Sequence, residues 1–140
     1  MDRTGLMLEL DFPCGAELEK LAEKSDRQFM IKPSMKGNDC SLSGIENKCK
    51  KMLDDGEPPE DIAKFCLTYI GETVKCMTKK AKAELGDLPV VYAGGVMSNK
   101  YIKSMILKDY DAYFAQPEFS CDNAAGVSVI AFEKYKIGKL

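Results

Sequence analysis

The stretch Leu88–Asn99, LPVVYAGGVMSN, decides how the rest of the chain is read. Val90, Val91 and Tyr92 follow Pro89 and are β-branched or aromatic, the composition of a short buried strand. Ala93, Gly94 and Gly95 break the run, and their minimal side chains let another group come close to the backbone. Ser98 or Asn99 then caps a helix carrying Tyr101, Ile102, Met105 and Ile106 on one face. Strand, glycine turn and helix N-terminus together favour an anion, because free N–H groups and the helix dipole both point at it. A Gly-Gly pair after a strand is also ordinary turn chemistry. The stretch alone leaves both readings open.

A chain of 140 residues suits one domain, long enough to bury a core but short for a complete two-domain enzyme. Its hydrophobic share of 45% and charged share of 30% are those of a folded globular protein. A net charge of -2 gives no broad attraction to nucleic acid or to an anionic membrane, although Lys79, Lys80 and Lys82 form a local basic patch. The six cysteines include no C-x-x-C pair and there is no histidine, which argues against a structural zinc. Met1, Asp2 and Arg3 open no signal peptide and no apolar run is long enough to cross a bilayer, so reduced thiols, a cytoplasmic location and no membrane association are expected. The lack of histidine also disfavours hydrolytic triads, in which it is the usual partner of a Ser or Cys nucleophile.

Along the chain, Asp2–Leu10 reads as the tail of a helix, Asp11–Gly15 as a turn, and Ala16–Lys24 as a helix with Leu18, Leu21 and Ala22 inward. Glu17 and Glu19 fall in its first turn, where capping and solvation already account for acids. Gln28–Pro33 is predicted to be a short strand. Ser41 or Ser43 is expected to cap a helix over Gly44–Leu53, and Asp54–Pro59 separates it from the next. Glu60–Leu85 has the strongest periodicity: Ile62, Phe65, Cys66, Tyr69, Ile70, Val74 and Met77 draw one stripe of a core helix, with proline before it and Gly86 after it. Beyond the opening stretch, Ala112–Ala115 reads as a second strand, and Ala124–Tyr135 as a helix with Val127, Ile130, Ala131 and Tyr135 inward. Two strand-to-helix corners on parallel strands would lie side by side at the carboxyl edge of a sheet, where open α/β folds bind ligands.

These pieces resemble the carboxyl-terminal part of the tRNA N6-threonylcarbamoyladenosine transferase family, long labelled O-sialoglycoprotein endopeptidases or glycoproteases. The resemblance rests on Asp2-Arg3 with Leu10–Ala22 (LDFPCGAELEKLA), on Ser43-Gly44 after a polar loop, on Gly94–Asn99 (GGVMSN), and on Pro117–Asn123 (PEFSCDN), in order and at compatible spacing. It implies an α/β fold, a partial actin-like ATPase (ribonuclease H-like) lobe with a small sheet flanked by many helices. It also implies that Asp2, Gly15 and Glu19 contact the adenosine part of ATP or an adenylate, and that Gly94, Gly95 and Asn99 complete that pocket. Asp122 would ligate a divalent metal (iron, zinc or magnesium) beside the phosphates; the plain alternative makes it the N-cap of the last helix. Carboxylates accept from ribose hydroxyls and glycines let a ligand lie against backbone, so the residue types suit these roles.

The departures bear on function as much as the matches. The family's H-x-x-x-H metal helix and first phosphate loop are absent, and Cys14 replaces a usual glycine, where a larger side chain could narrow the pocket. Residues 1–140 are therefore read as a single domain, a carboxyl-terminal lobe of a divergent member, inactive without an amino-terminal lobe. Complete, such an enzyme transfers a threonylcarbamoyl group to N6 of adenosine 37 in tRNA, and tRNA would meet this chain only through that complete enzyme. No catalytic residue is assigned within the chain, and nothing in it supports the protease label. The competing expectation is a non-catalytic nucleotide-binding or scaffolding lobe of a degenerate paralogue. Such a lobe would act through an actin-like paralogue as partner or through self-association.

Overall fold

The computed structural model describes residues 1–37, 39–120 and 124–138. In chain order its elements are α1 (Asp2–Met7), α2 (Gly15–Ala22), β1 (Met35–Lys36), β2 (Asp39–Cys40), α3 (Ser43–Asp54), α4 (Pro59–Leu85), β3 (Val90–Tyr92), α5 (Lys100–Leu107), β4 (Ala112–Phe114) and α6 (Ala124–Lys136). Short 3-10 turns cover Gly95–Ser98 and Pro117–Phe119.

The core is built around α4. Pro59 opens it where a missing N–H costs nothing, Glu60 and Asp61 meet the positive end of its dipole, and Gly86 ends it at φ 85°. Helices α2, α3 and α5 lie along its stripe and bury Leu18, Ile45, Cys49, Ile62, Cys66, Leu67, Ile102 and Ile106. Each large aliphatic side chain removed from water this way is worth about 1.5–3 kcal/mol. At one crossing a Cβ on Gly71 would sit 2.8 Å from Met105 Sδ, so the glycine lets α5 settle against α4. The predicted stripe holds through Ile70 and weakens toward Met77, which is 39% exposed.

Strands β3 and β4 are parallel, with Val90 opposite Ala112 and Tyr92 opposite Phe114, and α5 forms the crossover between them. The Tyr92 and Phe114 rings stack at 5.0 Å, and the Tyr92 hydroxyl shares a hydrogen bond with Thr78 of α4 at 2.5 Å. One face of this small sheet is thereby fixed to the helices. The other is open: Val91 is 67% exposed, so β3 is only half-buried where a short buried strand was expected. A helix-rich molecule with a small parallel sheet is compatible with the expected α/β class.

Three local expectations fail for identifiable reasons. Residues 28–33 form no strand; Phe29 meets Phe65 edge-on at 5.4 Å, Arg27 pairs with Glu57 and Asp61, and Met30 is wholly exposed. Side chains bind that segment to α4, and the strand pair forms instead between β1 and β2. Neither Ser41 nor Ser43 caps α3, whose N-cap is Leu42, because the two hydroxyls bond each other at 3.1 Å. Helix α6 forms where expected, but Val127, Ile130 and Tyr135, expected inward, are each more than half exposed. Among the described residues, no helix is long and apolar enough to cross a membrane.

Candidate functional site

The turn after β3 begins with Gly94 at φ 106°, a conformation that a side chain would strain. Gly95–Ser98 then winds as a 3-10 turn and delivers Asn99 to the start of α5. Asn99 is the cap: its Oδ1 accepts from the Ile102 N–H at 2.9 Å, and the residue is only 3% exposed.

The anion expected at this helix N-terminus is supplied by the chain itself. Glu19, from α2, accepts from the Lys100 N–H through Oε1 at 2.9 Å and from Asn99 Nδ2 through Oε2 at 3.1 Å. A phosphate therefore cannot occupy the same donors while Glu19 holds them. Glu19 and Asn99 lie 80 residues apart in the chain. Each carboxylate oxygen keeps a further lone pair, so Glu19 can still accept two hydrogen bonds from a polyhydroxyl ligand.

Gly15, Glu19, Gly95 and Asn99 line one cleft of about 220 Å³ together with Met1, Ala16 and Ser98. Four of the seven site residues named from the sequence are thus brought together. Gly15 keeps the cleft open toward Met1, whose Cε would lie 3.4 Å from an added Cβ. Asp2 stands next door, lining a second cleft of about 350 Å³ that shares Met1 with the first. Its Oδ1 accepts from the Cys14 N–H at 3.1 Å and so sets the entry to α2. Gly94 shapes the turn without lining the cleft, and Asp122 lies outside the described residues.

Cys14 does not narrow the cleft. Its side chain is fully buried against Gly5, where an added Cβ would fall 2.2 Å from the Cys14 Cβ. Burial, reinforced by Asp2 and Glu17, pushes the Cys14 thiol above its ordinary range. Ser98, considered above only as a cap, has a buried Oγ with no hydrogen-bond partner and contributes to the cleft wall. No spacing rule points to that role, since it depends on the 3-10 turn. Among the described residues, no three His, Cys, Asp or Glu side chains converge in a metal-binding group. Oxygen acceptors and close backbone suit one end of a nucleoside, and the cleft is smaller than the roughly 300–1,000 Å³ that holds a whole drug-sized ligand.

The family model of the tRNA N6-adenosine threonylcarbamoyltransferases matches residues 1–129 of this chain.

Proposed function

Because the chain belongs to the tRNA N6-adenosine threonylcarbamoyltransferase family, we propose that it is the lobe holding the nucleoside end of the adenylate in threonylcarbamoyl transfer to tRNA. The observation that carries this reading is the Glu19 carboxylate fixed between Asn99 and the Lys100 N–H, with its remaining lone pairs free to accept from ribose hydroxyls. Gly15 and Gly95 would give the sugar access to backbone, and Asp2, which lines the neighbouring cleft across Met1, is proposed to contact the same ligand. The phosphates point away from α5, whose N-terminus is already neutralised by Glu19.

Asp122, in the segment that follows β4, is proposed as the chain's ligand to a divalent metal near those phosphates. A metal there would neutralise charge on the phosphate oxygens. The chain has no histidine, so the rest of the metal shell and the opposite phosphate wall come from an amino-terminal lobe, and this piece alone transfers nothing. Transfer to tRNA is therefore a property of the assembled enzyme.

Calorimetric titration with adenosine and with ATP tests the reading. Both should bind, with similar affinity, because the contacts are to the sugar. Glu19→Gln should weaken both about 10-fold or more, the worth of a charge-assisted hydrogen bond of roughly 1.5–3 kcal/mol. Absence of nucleoside binding in the wild type, or equal binding in the variant, would overturn it.

A further inference from the structure

Among the described residues, one buried side-chain oxygen has no hydrogen-bond partner, and it is Ser98 Oγ. Ser98 stands in the wall of the nucleoside cleft, at the end of the 3-10 turn that leads to Asn99. The wall's other polar side chains, Glu19 and Asn99, are already engaged. Glu19 accepts from Asn99 Nδ2 and the Lys100 N–H, and Asn99 Oδ1 accepts from the Ile102 N–H. We propose that Ser98 donates to a sugar hydroxyl held by Glu19, and so makes the cleft select ribose, with both vicinal hydroxyls, over deoxyribose. This rests on the nucleoside reading above and adds to it the residue that sets the sugar.

Glu19 can hold hydroxyls only as an acceptor, because an ionised carboxylate has no proton to give. A ribose hydroxyl that donates to it keeps its lone pairs, and these lose water when the sugar enters a cleft of about 220 Å³. Without a donor on the wall, those lone pairs stay unpaired at a cost. Asn99 is 3% exposed and has its amide committed at both ends, which leaves Ser98 as the wall side chain free to donate. A carboxylate to take the sugar's protons and a hydroxyl to return one make a complementary pair, and the two come from α2 and from the turn before α5.

The Ser98 oxygen is closed off, but the residue as a whole is half-buried and lines the cleft. A serine hydroxyl moves between staggered positions by turning about one bond, so it can meet a sugar without any backbone change. Before a sugar arrives, the oxygen has given up water without a protein partner in return, and binding removes that cost. The same accounting gives the selectivity. A deoxyribose leaves either Ser98 or Glu19 facing a C–H group, and a site built to hydrogen-bond a hydroxyl rejects the analogue that lacks it.

Ser98→Ala tests this with and without ligand. Alone, the variant should melt at or above the wild-type temperature, because the hydroxyl it loses has no partner in the protein; a lower Tm would reveal an internal partner and overturn the proposal. Calorimetric titrations then compare adenosine, 2′-deoxyadenosine and 3′-deoxyadenosine. Adenosine should bind the variant about 3- to 10-fold more weakly than wild type, the worth of one neutral hydrogen bond. One deoxynucleoside should show the same loss and the other none, the latter being the one without the hydroxyl that Ser98 serves. Equal losses for all three would mark a general disturbance of the turn and overturn the assignment. Adenosine binding that Ser98→Ala leaves unchanged overturns this proposal alone, whereas failure of the wild type to bind adenosine overturns the nucleoside reading and this proposal with it.

Discussion

Replacing Asn99 separates two jobs that one side chain performs. In Asn99→Ala the Ile102 N–H loses its acceptor and the Glu19 carboxylate loses a donor, both at a residue that is 3% exposed. Loss of an N-cap costs about 0.5–2 kcal/mol, and a hydrogen bond to a charged group is worth about 1.5–3 kcal/mol. Since Glu19 is only half-buried and can turn to water, the two overlap, and a total of about 2–4 kcal/mol is expected. For a chain of this size each kcal/mol lowers Tm by roughly 3–4 °C, so the variant should melt about 6–16 °C below the wild type. Asn99→Ser keeps a capping oxygen and drops the amide, and should lose about half as much. Asn99→Asp keeps the cap but sets a second carboxylate against Glu19 Oε2, and its deficit should shrink on acidification as one of the two takes a proton. Urea and thermal unfolding followed by circular dichroism measure all three. An Asn99→Ala loss below about 0.5 kcal/mol, or a serine variant as unstable as the alanine one, would refute the two-part account.

Gly5→Ala should destabilise by about 1–3 kcal/mol or more, because the new methyl group would overlap the Cys14 Cβ at 2.2 Å and Sγ at 2.7 Å. Adding Cys14→Gly should recover part of that loss in a double-mutant cycle, and strict additivity would count against the contact. Stability should also fall on the alkaline side. The folded Cys14 thiol is held above its unfolded value of about 8.5, so its contribution is whole below that pH and is lost as the pH rises toward the folded value. Tm measured from pH 8 to 10 should decline less steeply in Cys14→Ala than in wild type, and parallel slopes would contradict the assignment.

The order of the helices and of the β3 and β4 strands was legible in the chain because it is set by local periodicity, whereas the β1–β2 pair was not. Pro59, the stripe from Ile62 to Ile70, and Gly86 define α4 by themselves, and Val90–Tyr92 followed by Gly94 marks the strand and turn. Family motifs singled out Gly15, Glu19, Gly95 and Asn99, but their convergence on one cleft depends on α2 and α5 packing side by side on α4. Local pattern could not tell that Glu19 would fill the α5 N-terminus, because the partners are 80 residues apart and no periodicity spans that distance. For the same reason, it misjudged Cys14, whose bulk is absorbed by Gly5 on another helix. It also assigned an inward face to α6, since apolar composition records a tendency to be covered and says nothing of what does the covering. Sequence by itself determined the main helices, the Val90–Tyr92 and Ala112–Phe114 strands, the glycine turn and the family, but not the Met35–Cys40 strand pair. Tertiary packing alone decided that the glycine turn borders a cleft of about 220 Å³ walled by Glu19 instead of an open helix N-terminus, because that outcome rests on α2 bringing the Glu19 carboxylate to the Asn99 amide and the Lys100 N–H.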